Sequence, residues 1–155
     1  MIREKKHRLE KDCYKGEKIV SFTSCIKQRT NVFVCKDLFN EFEKILIKEL
    51  NRFECDSYIH LFMPDHIHFI IEGKNENSDV IKVMEMFKQK TGYWFSNNGK
   101  IAKWQKDYYD HIIRDQEDLK KQIYYILENP VRAGICKHWK EYRFIGSTIY
   151  DFDEF

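Results

Sequence analysis

The hydrophobic positions of this chain follow two periods. Runs of β-branched and aromatic residues that alternate with polar ones predict strands, and apolar residues that recur every three or four positions predict amphipathic helices. The predicted strands span residues 19–26, 58–63, 66–72 and 108–113. The first predicted helix spans residues 37–50, and the second runs from an N-cap at Ser78 to about Phe95. A third helix begins after a cap at Asp115 or Gln116 and ends at Asn129-Pro130.

The order of these elements predicts the architecture. Strand, helix, strand, strand, helix, strand, helix is typical of an α+β fold in which helices pack on one face of an antiparallel sheet, close to the ferredoxin-like plan. Pro64-Asp65 separates the second and third strands by a tight break, which predicts a hairpin. With 155 residues, two prolines and six glycines, the chain can bury one substantial core, and we expect a single domain over residues 1–155.

Two histidines alternate with large apolar residues in the third predicted strand. The side chains of His66 and His68 should project from the same face of the strand, about 7 Å apart. Those of Ile67, Phe69 and Ile71 should point from the opposite face into a core. Histidine is the commonest metal ligand and titrates near neutrality, so the pair indicates a metal site or acid–base chemistry. In a chain with six histidines such a pair also arises by chance, so the spacing alone does not decide.

Basic residues are concentrated in one part of the chain. The net charge is +2, but residues 1–149 hold 27 basic and 22 acidic side chains, a net of +5. Six lysines and one acidic residue, Glu85, fall between Lys82 and Lys106. A solvated helix face explains such a run as well as a nucleic-acid surface does. In the second interpretation Lys88, Lys90 and Lys103 neutralise phosphates, and the interleaved Tyr93, Trp94, Phe95 and Trp104 stack on bases.

Nothing in the sequence indicates export or a membrane. No apolar stretch approaches the roughly 18 residues of a membrane span. Residues 1–8 are mostly charged, and no apolar signal region follows them. The five cysteines are widely spaced, with no Cys-x-x-Cys pair. We therefore expect reduced thiols in a cytoplasmic protein, without a zinc–cysteine site.

Two blocks of the sequence resemble a known family. Met63-Pro64-Asp65-His66-Ile67-His68 resembles the Met-Pro-x-His-x-His motif of the single-tyrosine HUH transposases. Tyr125-Ile126-Leu127-Glu128-Asn129-Pro130-Val131 resembles the Tyr-Ile-x-x-Asn-Pro-Val motif of one branch, the REP-associated tyrosine transposases, and residues 104–119 are also similar. The resemblance extends from Arg8 to about Ser147, and the two motifs in this order are highly specific.

The resemblance implies roles for four residues. It assigns His66 and His68 as metal ligands, Asn129 as the third ligand and Tyr125 as the nucleophile. Helical geometry supports the roles of Asn129 and Tyr125, because residues four positions apart share one face of a helix. Tyr124, in contrast, is rotated from Tyr125 by about 100°. Without the resemblance, a helical tyrosine is more often a packing residue, and an asparagine before proline is more often a helix stop.

The chemistry that the resemblance implies is transesterification on single-stranded DNA. Tyr125 would attack a phosphorus and stay joined to the 5′-phosphate, and a divalent ion, Mg²⁺ or Mn²⁺, would offset the developing negative charge. The phosphotyrosine preserves the bond energy, so strands can be rejoined. The implied substrate is DNA near the hairpins of repetitive palindromic elements. Arg114 and Arg132 are placed to hold the backbone of such a hairpin. Asp65, where the family commonly has Asn or Glu, is expected as a turn residue rather than as a support for the histidines.

Several alternatives stay open. Tyr93, Tyr108 and Tyr109 are rival nucleophiles by composition, although no potential ligand follows them at the helical offset. A non-catalytic nucleic-acid-binding domain on the same fold would leave Tyr125 as a packing residue. A metal-dependent phosphoesterase would use the histidines with water as the nucleophile, but no acidic residue stands at ligand spacing beside His66. The active form could be a monomer or a homodimer, and the short connection 114–116 favours a tyrosine helix that folds back on its own sheet.

Overall fold

The fold is built from a five-stranded sheet and four α-helices within the residues that the structure describes. This computed structural model describes residues 9–155, so the charged segment 1–8, with His7, lies outside the described residues. The strands are β1 (Ile19–Cys25), β2 (Cys55–Met63), β3 (His66–Gly73), β4 (Tyr109–Ile113) and β5 (Ile145–Gly146). The helices are α1 (Lys36–Arg52), α2 (Val80–Asn97), α3 (Gln116–Leu127) and α4 (Asn129–Arg132).

The sheet has the strand order β4-β1-β3-β2-β5, and every neighbouring pair is antiparallel. The predicted α+β fold and the predicted hairpin between β2 and β3 are thus confirmed. β4 begins at Tyr109, one residue after its predicted start at Tyr108, and Trp104 forms only an isolated bridge with Ile26. β5 was not predicted, since two residues are too short to show a period.

Helices cover both faces of the sheet. α1 and α2 share one face, as predicted, and enclose a core in which Phe69 contacts Phe87 with ring centroids 5.1 Å apart. The expectation that all helices pack on one face is wrong for α3, which lies on the opposite face, where Ile123 and Ile126 belong to a second apolar cluster with Ile70 of β3 and residues of β2. The physical reason is that Ile59, Leu61 and Met63 of β2 and Ile70 of β3 make this second face apolar as well, and a second layer is needed to remove these side chains from water.

Most of the aromatic residues in the basic segment lie in the core or pack against it. The prediction that they stack on bases is wrong for Trp94, Phe95 and Trp104, which pack against the cluster beneath α1 and α2. The Trp104 indole N–H donates to the Thr91 hydroxyl at 2.8 Å, which satisfies its polar atom inside the fold. Tyr93 differs from these three, because its side chain is 72% exposed.

The start of α3 follows the predicted cap. The Asp115 carboxylate accepts a hydrogen bond from the backbone N–H of Asp118 at 2.8 Å, so the helix carrying Tyr125 is capped two residues after the end of β4. At α2 the cap is Asp79 rather than the adjacent Ser78. No two of the five cysteines, all of which lie within residues 9–155, form a disulfide. Among residues 9–155, no helix has both the length and the apolar character needed to cross a membrane.

Candidate active site

The histidine pair lies on β3 with the geometry that the strand period predicts. His66 and His68 are 6% and 7% exposed, and their ring centroids are 4.9 Å apart with the planes nearly perpendicular. Ile67 and Phe69 point into the core on the opposite face, also as predicted. The two imidazoles are therefore held close together on the sheet face that α3 covers.

Each imidazole is oriented through its Nδ1 atom. His68 Nδ1 lies 2.9 Å from the hydroxyl of Thr23, its register partner on β1. His66 Nδ1 lies 2.7 Å from Asp65 Oδ1, and Arg29 donates from Nε to Asp65 Oδ2 at 2.9 Å. Partners of this kind fix the ring orientation of a ligating histidine and leave its Nε2 atom directed at the site.

Asp65 corrects the expectation of a simple turn residue. It does lie in the turn between β2 and β3, but its carboxylate also contacts both His66 and Arg29. Burial raises the pKa of Asp65, and the hydrogen bonds from Arg29 and His66 outweigh that effect, so the pKa is held below its usual range. Asp65 is therefore a carboxylate near neutral pH and can accept the Nδ1–H of His66.

Both histidines are neutral at pH 7. Burial lowers the pKa of His66, although the neighbouring Asp65 opposes the shift. Burial lowers the pKa of His68 to about 3, with smaller contributions from the charges of His66, Arg132 and Arg29. A neutral imidazole with Nδ1 protonated carries its lone pair on Nε2, which is the form that binds a cation.

Asn129 completes the cluster. Its amide Nδ2 lies 2.8 Å from His68 Nε2 and 3.2 Å from His66 Nε2, so three side chains converge on one point. Amide O and N assignments depend on the hydrogen-bond partner, so Asn129 can also offer its oxygen there. The residue begins α4, since α3 ends at Leu127 and Glu128 separates the two helices. The predicted meeting of Asn129 with the histidines is present in the structure.

Tyr125 lies at the same place as this cluster. It is 59% exposed and lines a cavity of about 630 Å³ together with His66, His68 and Asn129. Six further side chains line this cavity: Ser21, Thr23, Arg29, Tyr109, Gln122 and Ile126. The sequence had singled out only Tyr109 among them, as a rival nucleophile. They come from β1, the turn after it, β4 and α3, so no local motif links them to the histidines. Only the strand register and the position of α3 could have identified them.

The rival tyrosines differ in their burial and in the residues that they contact. Tyr109 shares the cavity and is 44% exposed. Tyr108 is buried against Phe22, and Tyr124 lies on another side of α3, with its ring centroid 6.2 Å from that of Phe155. Of the tyrosines on α3, only Tyr125 faces the histidines, as its helical offset from Asn129 predicts.

The predicted DNA-binding cations occupy different environments. Lys88 donates to the carbonyl oxygens of Gln105, Lys106 and Asp107, at 2.8–3.4 Å, and Lys90 pairs with the fully buried Glu49. These two ammonium groups hold α2 in place, and neither lysine lines the cavity. Lys103 and Arg114 are exposed. Arg132 is exposed and lies over the Tyr125 ring, with its guanidinium carbon 3.9 Å from the ring centroid.

Comparisons with known proteins agree with the two motifs. Residues 17–129 match the family model described as Transposase IS200 like, and this stretch contains His66, His68, Tyr125 and Asn129. A Haemophilus influenzae protein provisionally named a REP-associated tyrosine transposase is 26% identical over 132 residues, which cover 76% of this chain and 74% of that protein.

Two solved structures share the fold. The REP-associated tyrosine transposase bound to a REP hairpin superposes with a TM-score of 0.74 at 20% identity, covering 92% of this chain and 82% of that one. A candidate transposase from Deinococcus radiodurans superposes with a TM-score of 0.53 at 14% identity, covering 81% of this chain and 95% of that one. Because the family model spans most of the chain, including both motifs, this protein belongs to the IS200-like transposase family.

Proposed function

We propose that this transposase nicks single-stranded DNA beside hairpins through a covalent 5′-phosphotyrosine on Tyr125, and that it can rejoin strands. The observation that carries the proposal is that Tyr125, His66, His68 and Asn129 line one cavity. The family supports an enzyme that processes DNA. The hairpin in the structural relative supports hairpin DNA, including repetitive palindromic elements, as the partner.

The proposed step is an in-line displacement at phosphorus. The phenol oxygen of Tyr125 forms a bond to phosphorus, its proton passes to water, and the bond to the 3′-oxygen breaks, so that a 3′-hydroxyl is released after protonation. The exposure of Tyr125 allows an incoming strand to reach it. The reverse attack by a 3′-hydroxyl on the phosphotyrosine rejoins DNA without an external energy source.

His66, His68 and Asn129 fit a divalent metal ion. Two neutral imidazoles and an amide give mixed nitrogen and oxygen donors, which suit Mn²⁺ and accept Mg²⁺. Among residues 9–155, no group of three or more His, Cys, Asp or Glu side chains is arranged to hold a metal, so Asn129 is essential to this assignment. When bound, the ion would polarise a phosphate oxygen; the chain contributes the fixed imidazole orientations described above.

The proposed DNA contacts are the exposed cations rather than the full set predicted from the sequence. Lys103 and Arg114 remain proposals as phosphate contacts. Arg29 is a better-placed candidate, because it lines the cavity and its guanidinium is already oriented by Asp65. Lys88 and Lys90 are engaged inside the protein, so we assign them a structural role in place of phosphate binding.

Incubation with hairpin DNA followed by a denaturing gel tests the proposed function. The probes are palindromic hairpins with single-stranded flanks, taken from the genome that encodes the protein, labelled at either end and supplied with Mn²⁺ or Mg²⁺. We expect a labelled protein–DNA adduct that survives denaturation and disappears with protease. Cleavage without an adduct would indicate a phosphoesterase that uses water, and binding without cleavage would indicate a non-catalytic DNA-binding domain.

The site is complete within one chain. Tyr125 and both histidines of the same chain line the cavity, which supports a monomer that cleaves in cis over a homodimer that exchanges tyrosine helices. We therefore expect a mixture of His68→Ala and Tyr125→Phe chains to remain as inactive as either variant alone in the adduct gel. Restored cleavage in the mixture would mean that two chains share each site and would refute the cis arrangement.

A further inference from the structure

Arg132 makes two contacts with one residue, Tyr125. Its guanidinium carbon lies 3.9 Å from the centroid of the tyrosine ring, and its Nη2 donates to the tyrosine carbonyl oxygen at 2.6 Å. The first contact restrains the side chain and the second restrains the backbone. Both come from a residue seven positions later in the chain, across the junction between α3 and α4.

The break between α3 and α4 explains why a side chain can bind this carbonyl. In a continuous helix the Tyr125 carbonyl would accept the backbone N–H of Asn129. Here α3 ends at Leu127, and the N–H of Glu128 bonds to the carbonyls of Tyr124 and Ile126. The tyrosine carbonyl is instead held by the guanidinium of Arg132.

The ring of Tyr125 needs such a restraint. More than half of its side chain is exposed, so packing against the protein limits its rotamers less than it would in a core. A nucleophile that reorients freely spends little time in line with a phosphorus, and a displacement of about 1 Å can cost about 100-fold in rate. A planar guanidinium can stack on the ring and donate in its own plane to the carbonyl at the same time, which a lysine ammonium cannot do.

We propose that Arg132 is a positioning residue that holds the Tyr125 ring at the cavity formed with His66, His68 and Asn129. This inference rests on the proposed role of Tyr125 as the nucleophile. It differs from the sequence-based prediction for Arg132, which was contact with a hairpin backbone. A phosphate contact needs only the positive charge of the residue and acts on DNA affinity, whereas a positioning residue needs the planar shape and acts on the cleavage rate.

Two substitutions separate these roles. Arg132→Lys retains the charge but loses the stack, and Arg132→Met loses both, while Lys121→Gln removes an exposed charge of α3 as a matched control. We would measure adduct formation in a single turnover at saturating hairpin DNA, and hairpin affinity in a Tyr125→Phe background that cannot form the adduct. We expect both Arg132 variants to slow adduct formation by about tenfold or more, with hairpin affinity changed less than twofold and with Lys121→Gln like the wild type.

A second measurement reports the stack without catalysis. Proton NMR of the arginine side chains should show the Arg132 methylene protons shifted upfield by the Tyr125 ring current, with the shift lost in Tyr125→Leu and kept in Tyr124→Leu. An unshifted Arg132, an unchanged cleavage rate in Arg132→Lys, or a large loss of hairpin affinity in Arg132→Met would overturn the inference. A wild type that forms no adduct would overturn the proposed function itself, whereas equally fast adducts in all variants would overturn only the role of Arg132.

Discussion

Tyr125→Phe is expected to abolish the covalent protein–DNA adduct while hairpin binding and folding persist. The substitution removes one oxygen from a side chain that is 59% exposed, so the free energy of unfolding should change by no more than about 0.5 kcal/mol. Loss of the nucleophile should reduce adduct formation by at least about 10³-fold, as removal of a covalent nucleophile does in other enzymes. The denaturing gel measures the adduct, and mass spectrometry of a protease digest of the wild-type adduct identifies the modified peptide.

Two tyrosines provide matched controls for this substitution. Tyr124→Phe alters the neighbouring residue on α3, which contacts Phe155 and does not line the cavity, and should form the adduct at the wild-type rate. Tyr109→Phe alters the other tyrosine of the cavity and should retain the adduct. If Tyr125→Phe still forms an adduct, the nucleophile is a different residue. Loss of the adduct in Tyr109→Phe alone would then identify Tyr109 of β4 as the nucleophile.

His68→Ala is expected to abolish cleavage, and EDTA should have the same effect on the wild-type protein. His68 Nε2 lies 2.8 Å from the amide of Asn129, which also approaches His66 Nε2 at 3.2 Å, so removal of His68 takes away one of three proposed ligands. His66→Ala should behave likewise. Isothermal titration with Mn²⁺ should show weakened binding in both variants, and added Mn²⁺ or Mg²⁺ should restore the EDTA-treated wild type.

The buried position of His68 requires a control for folding. His68→Ala removes a buried ring and leaves the Thr23 hydroxyl without its present partner, which should lower the melting temperature. His111→Ala, a change at a half-exposed histidine that bonds Asp118 and does not line the cavity, should leave cleavage unchanged. Full cleavage in EDTA, or in a folded His68→Ala protein, would remove the metal from the proposed mechanism.

The residues of the site differ in how far the sequence could predict them. His66 and His68 follow from the strand period, and Tyr125 and Asn129 follow from the helical offset and from the family motif. Thr23 and Arg29 could not be found this way, because they contact the histidines across 45 and 37 residues of chain. Those contacts depend on the β1–β3 register and on the left-handed backbone of Arg29, whose φ is 52°.

The sequence by itself determined the local elements, the antiparallel α+β fold and the face that carries the histidines. Those features depend on backbone geometry that repeats every 2 or 3.6 residues, so a short window contains the information. The tertiary structure alone decided that α3 covers the second face of the sheet, that Trp94 and Trp104 pack against the core, and that Arg132 lies on Tyr125. Burial and long-range pairing are collective properties of distant segments. A lysine or tryptophan side chain is compatible with a partly buried or an exposed position, and the packing of the whole chain decides between them.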